Sequence, residues 1–214
     1  MTIRVLVADD HKAVADGIRH LLAAQSDIEV VGTARSGREA VRCALELHPE
    51  VIVMDSNMPD LNGIEATRLI REREPSARVL MLSVHSNAMH IVRALRAGAA
   101  GYVPKSSAGS DVVEAVRAVH AGRRYLHPSI AEAVLAQLVE PEALDDPVAR
   151  LSARERQVLQ LLAEGKGVAD IGLALSLSPR TVETYRARLM DKLDIHDMPG
   201  LVKLAILHGI TSLE

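Results

Sequence analysis

Phenylalanine and tryptophan are absent from this 214-residue chain, and tyrosine occurs three times. Nearly half the residues are nonetheless apolar, so the core has to be aliphatic, built from Val, Leu, Ile, Ala and Met. Proteins that hold single-stranded nucleic acid stack bases on aromatic side chains, and the composition argues against that class. Cysteine occurs once, so no internal disulfide forms. Cys43 falls in a helical pattern and reads as a small core filler, which fits a reducing cytoplasm. No apolar run reaches the length needed to span a membrane. The start, MTIRVLVADDH, has too short an apolar run for a signal peptide.

Charge is spread unevenly. Residues 1–125 carry 16 basic and 15 acidic side chains, residues 126–150 one Arg against five acids, and residues 151–214 eight of each. The middle segment is acidic, ends in LVEPEALDDPVAR with its two prolines, and reads as a linker. The expected organisation is one domain over 1–122, a linker over 123–150 and a second domain over 151–214.

The first domain alternates two kinds of pattern. Short β-rich runs recur as IRVLVA (3–8), EVVGTA (29–34), VIVMD (51–55), RVLMLS (78–83) and GYV (101–103). Amphipathic segments of helical length lie between and after them. One opens with Ser36 and Glu39 in capping-box spacing, and Gly98 and Gly122 follow two others as terminators should. Five strands alternating with five helices predict a doubly wound α/β domain with a five-stranded parallel sheet.

Such sheets bind ligands beyond the carboxyl ends of their strands. Asp9 and Asp10 end the first strand, Asp55 the third and Ser83 the fourth, while Lys105 follows the fifth. Clustered carboxylates suit a hard divalent cation such as Mg²⁺, which takes oxygen ligands. A cation there would neutralise Asp55 and an incoming phosphoryl group together, so that the aspartate could attack as a nucleophile. Lys105 supplies a point charge, and Ser83 a hydroxyl, for the phosphoryl oxygens.

This constellation resembles the receiver domain of bacterial two-component response regulators, a flavodoxin-like fold. The resemblance makes Asp55 the phosphoacceptor, Asp10 a direct Mg²⁺ ligand, Asp9 a ligand through water, and Asn57 a donor of its backbone carbonyl. It makes Ser83 the switch hydroxyl, Lys105 the phosphoryl-binding lysine and Tyr102 the aromatic switch residue, which swings inward on phosphorylation. Pro104 matches a position where the family has a cis peptide. His85 borders the site and would tune access of water.

From Leu151 onward the pattern is helical throughout. LSARERQVLQLLAEGK opens with a capping box at Ser152 and Glu155, and SPRTVETYRARLMDKL opens with Ser178 as N-cap and Pro179 in the first turn. Only a few residues separate it from the preceding VADIGLALSL, which is helix-turn-helix spacing. With MPGLVKLAILHG, this predicts an all-α four-helix domain. The segment resembles the LuxR-type DNA-binding domain, with helix 179–193 in the major groove of double-stranded DNA. Glu183, Thr184 and Ala187 then face bases, Arg180, Thr181 and Lys192 contact phosphate, and Arg188 could do either. Two departures stand out: helix 168–175 lacks a backbone-facing lysine, and Leu204 stands where Tyr is common.

The whole chain is accordingly identified as a member of the NarL/FixJ-type response regulators, cytoplasmic and phosphorylated by a sensor histidine kinase. Activation would give a homodimer on an inverted repeat. Two other readings make different demands on the sequence. A phosphatase working through an aspartyl phosphate would carry an acid/base aspartate where Asn57 stands. A pure protein-interaction module would have an output domain that no longer binds DNA.

Overall fold

The structure is a computed structural model that describes residues 2–84, 87–107, 109–139 and 146–211, without the side chains of 133 and 136–139. The first body runs β1 (Ile3–Ala8), α1 (Lys12–Ala23), β2 (Ile28–Ala34), α2 (Gly37–Leu47), β3 (Val51–Asp55), α3 (Gly63–Arg73), β4 (Arg78–Ser83), α4 (Ala88–Arg96), β5 (Gly101–Pro104), α5 (Gly109–His120), β6 (Tyr125–Leu126) and α6 (Pro128–Val139). All strands pair in parallel, in the order β2-β1-β3-β4-β5-β6.

Both faces of the sheet are covered, which is why β3 is buried along its whole length. One layer joins Val5, Val7, Val53 and Leu80 to α1 and α5. The other joins Leu6, Ile52, Met54 and Met81 to α2, α3, α4 and α6. Cys43 is buried in this second layer, and burial pushes its thiol up.

The sheet has six strands, where five were expected from the sequence. Residues 123–139, expected to begin a linker, instead form β6 and α6. β6 is held by backbone bonds from Tyr125 to Ala100 and from His127 to Tyr102. Ile130 and Val134 of α6 are buried in the same cluster as Tyr102.

The second body has a short 3-10 turn (Pro147–Arg150), then α7 (Ala153–Ala163), α8 (Val168–Leu175), α9 (Pro179–Leu193) and α10 (Met198–Leu207) around a separate aliphatic core. The caps explain where these helices begin. Ser152 and Glu155 form a full capping box, and Ser178 accepts from the Thr181 N–H. The Ser36 cap is half of such a box, because Glu39 returns to the Arg35 N–H. Gly98 and Gly122 have positive φ, as helix-ending glycines do. At Gly172 a Cβ would lie 2.8 Å from the Leu177 carbonyl, so the turn into α9 closes only over a glycine.

Polar contacts join the two bodies. Arg156, Gln160 and Glu164 recur every four residues along one face of α7. Arg156 pairs with Glu65, and Gln160 bonds Asn62 and the Met58 carbonyl. Beside them Arg93 of α4 pairs with Asp146 at 2.9 Å and holds the carbonyl and the ring of His208, just past α10.

Candidate functional site

The parallel order brings the ends of β1, β3, β4 and β5 to one edge, and the polar residues there converge. Asp9 and Asp55 are both buried. The Lys105 ammonium lies between them, 2.7 Å from Asp9 Oδ2 and 2.8 Å from Asp55 Oδ2. Asp10 stands at the rim. Oxygens of Asp9, Asp10 and Asp55 and a ring nitrogen of His11 all lie within 4.8 Å of one another.

His11 is a member that sequence reasoning missed. Its backbone N–H donates to Asp9 Oδ1 at 2.9 Å, and its exposed ring lies 2.8 Å from Asp10 Oδ1. The available signal was its place directly after the aspartate pair.

Asp55 is held by its loop as well. The Asn57 N–H donates to Asp55 Oδ1 at 3.2 Å, which puts Asn57 at the site. The loop returns at Gly63, whose N–H donates to the Ser56 carbonyl at 2.9 Å. A Cβ on Gly63 would fall 1.9 Å from the Asp55 carbonyl oxygen, so α3 can start this close to the site only with glycine.

The electrostatics favour a reactive carboxylate that is short of countercharge. Burial pushes Asp55 up to about 6, with repulsion from Asp9 adding to it and Lys105 opposing it. For Lys105, burial favours the neutral amine, but the two carboxylates outweigh it and raise its pKa. One ammonium faces three carboxylates. The donors are mostly hard oxygens, so the residues fit a divalent cation of the Mg²⁺ class.

The switch elements lie along β4 and β5. Tyr102 is already inside, fully buried with its ring edge-on to His90 at 6.4 Å between centroids, and burial raises its pKa. Every described peptide bond is trans, including the one before Pro104. Pro104 pairs in register with Ser83, and the strand runs straight through it into Lys105. Ser83 is buried with its hydroxyl 2.6 Å from that of Ser56, a neighbour the sequence reading did not anticipate. His85 lies outside the described residues.

The second candidate surface is α9. Val182, Leu189 and Leu193 face the core, while Arg180, Glu183, Thr184, Ala187 and Arg188 are exposed together and Thr181 is half-buried. Thr184 donates to the Arg180 carbonyl at 2.9 Å. Glu183 lies 3.6 Å from Arg186. Lys192 is exposed but committed: its ammonium is 2.7 Å from the buried carboxylate of Glu155, the capping residue of α7. On α8, Leu173 is 83% exposed.

Comparison with known proteins adds the following. Residues 5–117 match the family described as response regulator receiver domain, and residues 149–205 match the bacterial regulatory proteins of the luxR family. The chain is 40% identical over 212 residues to the response regulator UvrY of Escherichia coli, covering 99% of this chain and 97% of that one. It is 39% identical over 208 residues to the response regulator GacA of Pseudomonas aeruginosa, covering 97% of each. Among solved structures, RcsB from Salmonella enterica serovar Typhimurium, bound to promoter rprA in the presence of the phosphomimetic BeF3⁻, superposes with a TM-score of 0.67 at 26% identity, covering 95% of this chain and 98% of that one. A LuxR-family two-component response regulator from Aurantimonas superposes with a TM-score of 0.63 at 39% identity, covering 65% of this chain and 99% of that one.

Proposed function

Because the chain belongs to the response regulators, with a receiver domain followed by a LuxR-type DNA-binding domain, we propose that Asp55 accepts a phosphoryl group from a sensor histidine kinase and that this governs DNA binding through α9. The observation that carries the reading is the Lys105 ammonium between two buried carboxylates at the carboxyl edge of the sheet.

In the reaction an Asp55 oxygen attacks the phosphorus, the bond to the kinase imidazole breaks, and an acyl phosphate remains. Asp9 and Asp10, with Asp55 and the Asn57 carbonyl, would hold Mg²⁺, which supplies positive charge to carboxylate and phosphoryl oxygens alike. Lys105 leaves its place between the carboxylates and meets a phosphoryl oxygen. Ser83 donates its hydroxyl to another. Ser83, Tyr102, Lys105 and the β4–β5 edge are the elements that respond.

We divide the chain into a receiver over residues 1–139 and an output domain over 146–211, both cytoplasmic. In the output domain Glu183, Thr184 and Ala187 read bases, Arg180, Thr181 and Lys192 hold phosphates, and Arg188 serves either role. A structure similar to this one is described as two RcsB dimers bound to two parallel DNAs, which supports a dimer on DNA as the working form.

The test is labelling by a small-molecule phosphodonor in Mg²⁺. The wild-type chain should take up label that Asp55→Asn and Asp10→Asn lose, the first for want of the nucleophile and the second for want of the metal. Continued Mg²⁺-dependent labelling of Asp55→Asn would place the nucleophile elsewhere.

A further inference from the structure

β3 and β4 pair Asp55 with Leu82, and the Ser56 N–H continues the ladder to the Leu82 carbonyl at 3.3 Å. Ser56 therefore comes to lie beside Ser83, and the two hydroxyl oxygens are 2.6 Å apart. Both residues have no accessible surface, so neither hydroxyl can exchange its partner for bulk water. Ser56 also makes a long contact, 3.5 Å, to Asn57 Oδ1, and the Tyr102 phenol hydrogen-bonds with Ser83. Each hydroxyl has one proton to give. Either hydroxyl can donate across the Ser56–Ser83 contact, and in both cases it ties the Ser83 hydroxyl to Ser56 rather than leaving it to turn toward Asp55.

We propose that Ser56 is a positioning residue for phosphoryl acceptance: it holds the Ser83 hydroxyl in the resting arrangement, and the Ser56–Ser83 bond has to break before Ser83 can donate to a phosphoryl oxygen on Asp55. The inference rests on Asp55 being the phosphoacceptor. It assigns the residue after Asp55 a part in the resting state, while the residues already named act on the phosphorylated one. Removing the Ser56 oxygen frees the Ser83 hydroxyl, so the switched arrangement becomes easier to reach.

The experiment uses the full chain with Mg²⁺ and beryllofluoride, followed by ¹⁹F NMR of the bound species. Ser56→Ala should saturate at a beryllofluoride concentration about threefold to tenfold lower than the wild type, the range expected for the net worth of one hydrogen bond. In a Ser83→Ala background the same change should have no effect, whereas a general loosening of the fold would persist there. Should Ser56→Ala fail to fold, Ser56→Cys, a weaker hydrogen-bonding group of similar size, should shift the midpoint in the same direction by less. An unchanged or higher midpoint, or an equal effect with and without Ser83, overturns the inference. A wild-type chain with no bound signal, or one that Asp55→Asn leaves intact, overturns the phosphoacceptor reading instead.

Discussion

Gln160 of α7 is bonded to Asn62 twice over, its Oε1 accepting the backbone N–H at 2.9 Å and the side-chain amide at 3.1 Å. The residues are 98 apart in sequence. Asn62 is also the N-cap of α3, so the output domain grips the loop that follows Asp55 at the point where that loop ends.

Gln160→Ala should therefore loosen one body from the other. It leaves the Asn62 N–H and the Met58 carbonyl without this partner in a buried place, which costs about 1–3 kcal/mol for each group that water does not reach. Small-angle scattering should show a larger radius of gyration and thermal unfolding a lower first midpoint. An unchanged radius would mean that the two bodies are held together elsewhere.

The raised pKa of Asp55 has a stability consequence with a definite sign. Between the ordinary value of 3.8 and about 6, the folded chain keeps a proton that the unfolded chain has lost. The contribution favours folding at low pH and is lost as pH rises through about 6. Asp55→Asn removes this titration. In the absence of Mg²⁺ its stability relative to the wild type should rise from pH 4 to pH 6 and level off above, by on the order of 2–3 kcal/mol. Chemical denaturation at several pH values in chelator measures it. A flat difference would show that Lys105 already satisfies the carboxylate.

Glu183 and Lys192 should separate specificity from affinity. A glutamate in the major groove can accept from cytosine N4, so Glu183→Ala should relax preference at one base pair per half-site by about 1–3 kcal/mol. Lys192→Ala should weaken all sequences alike and reduce the salt slope by about one. It should also lower the melting temperature of the chain, because it takes the partner from the buried carboxylate of Glu155. Randomised-site selection alongside calorimetry distinguishes the two. Identical sequence preferences in both variants would mean that a different face of α9 meets the bases.

The output domain from 151 to 214 has balanced charge, so a single copy has little long-range attraction for DNA. Two copies on one two-fold axis make the second contact intramolecular, which raises avidity by about 10²–10⁴. Beryllofluoride with Mg²⁺ should shift the chain from monomer toward dimer in sedimentation, and tighten binding to an inverted repeat in parallel. Arg93→Ala, which releases His208 beyond α10, should move the unmodified chain the same way. A monomer that binds one half-site equally in both states would rule this out.

The carboxylate pocket was legible because strand ends in a parallel sheet meet at one edge whatever lies between them. Asp9, Asp10, Asp55, Ser83 and Lys105 needed only correct strand positions to be brought together. Ser56 was not legible, since its partner depends on the register of β3 against β4. Gln160 with Asn62, and Arg93 with Asp146 and His208, join two bodies across long separations that leave no periodic mark. β6 escaped notice because two residues carry no alternation. α6 was hidden by the acids and prolines that follow it.

α6 joins the receiver at a telling place. The His127 N–H is bonded to the carbonyl of Tyr102 at 3.1 Å, and Ile130 packs in the same cluster as the Tyr102 ring. The helix thus has its fulcrum on β5. Twelve residues at 1.5 Å each make an arm of about 18 Å, so a tilt of about 10° at β6 displaces the far end, at Val139, by about 3 Å. A small tilt where β5 ends beside Lys105 would thus be magnified along α6 into a displacement several times larger at the far end of the helix.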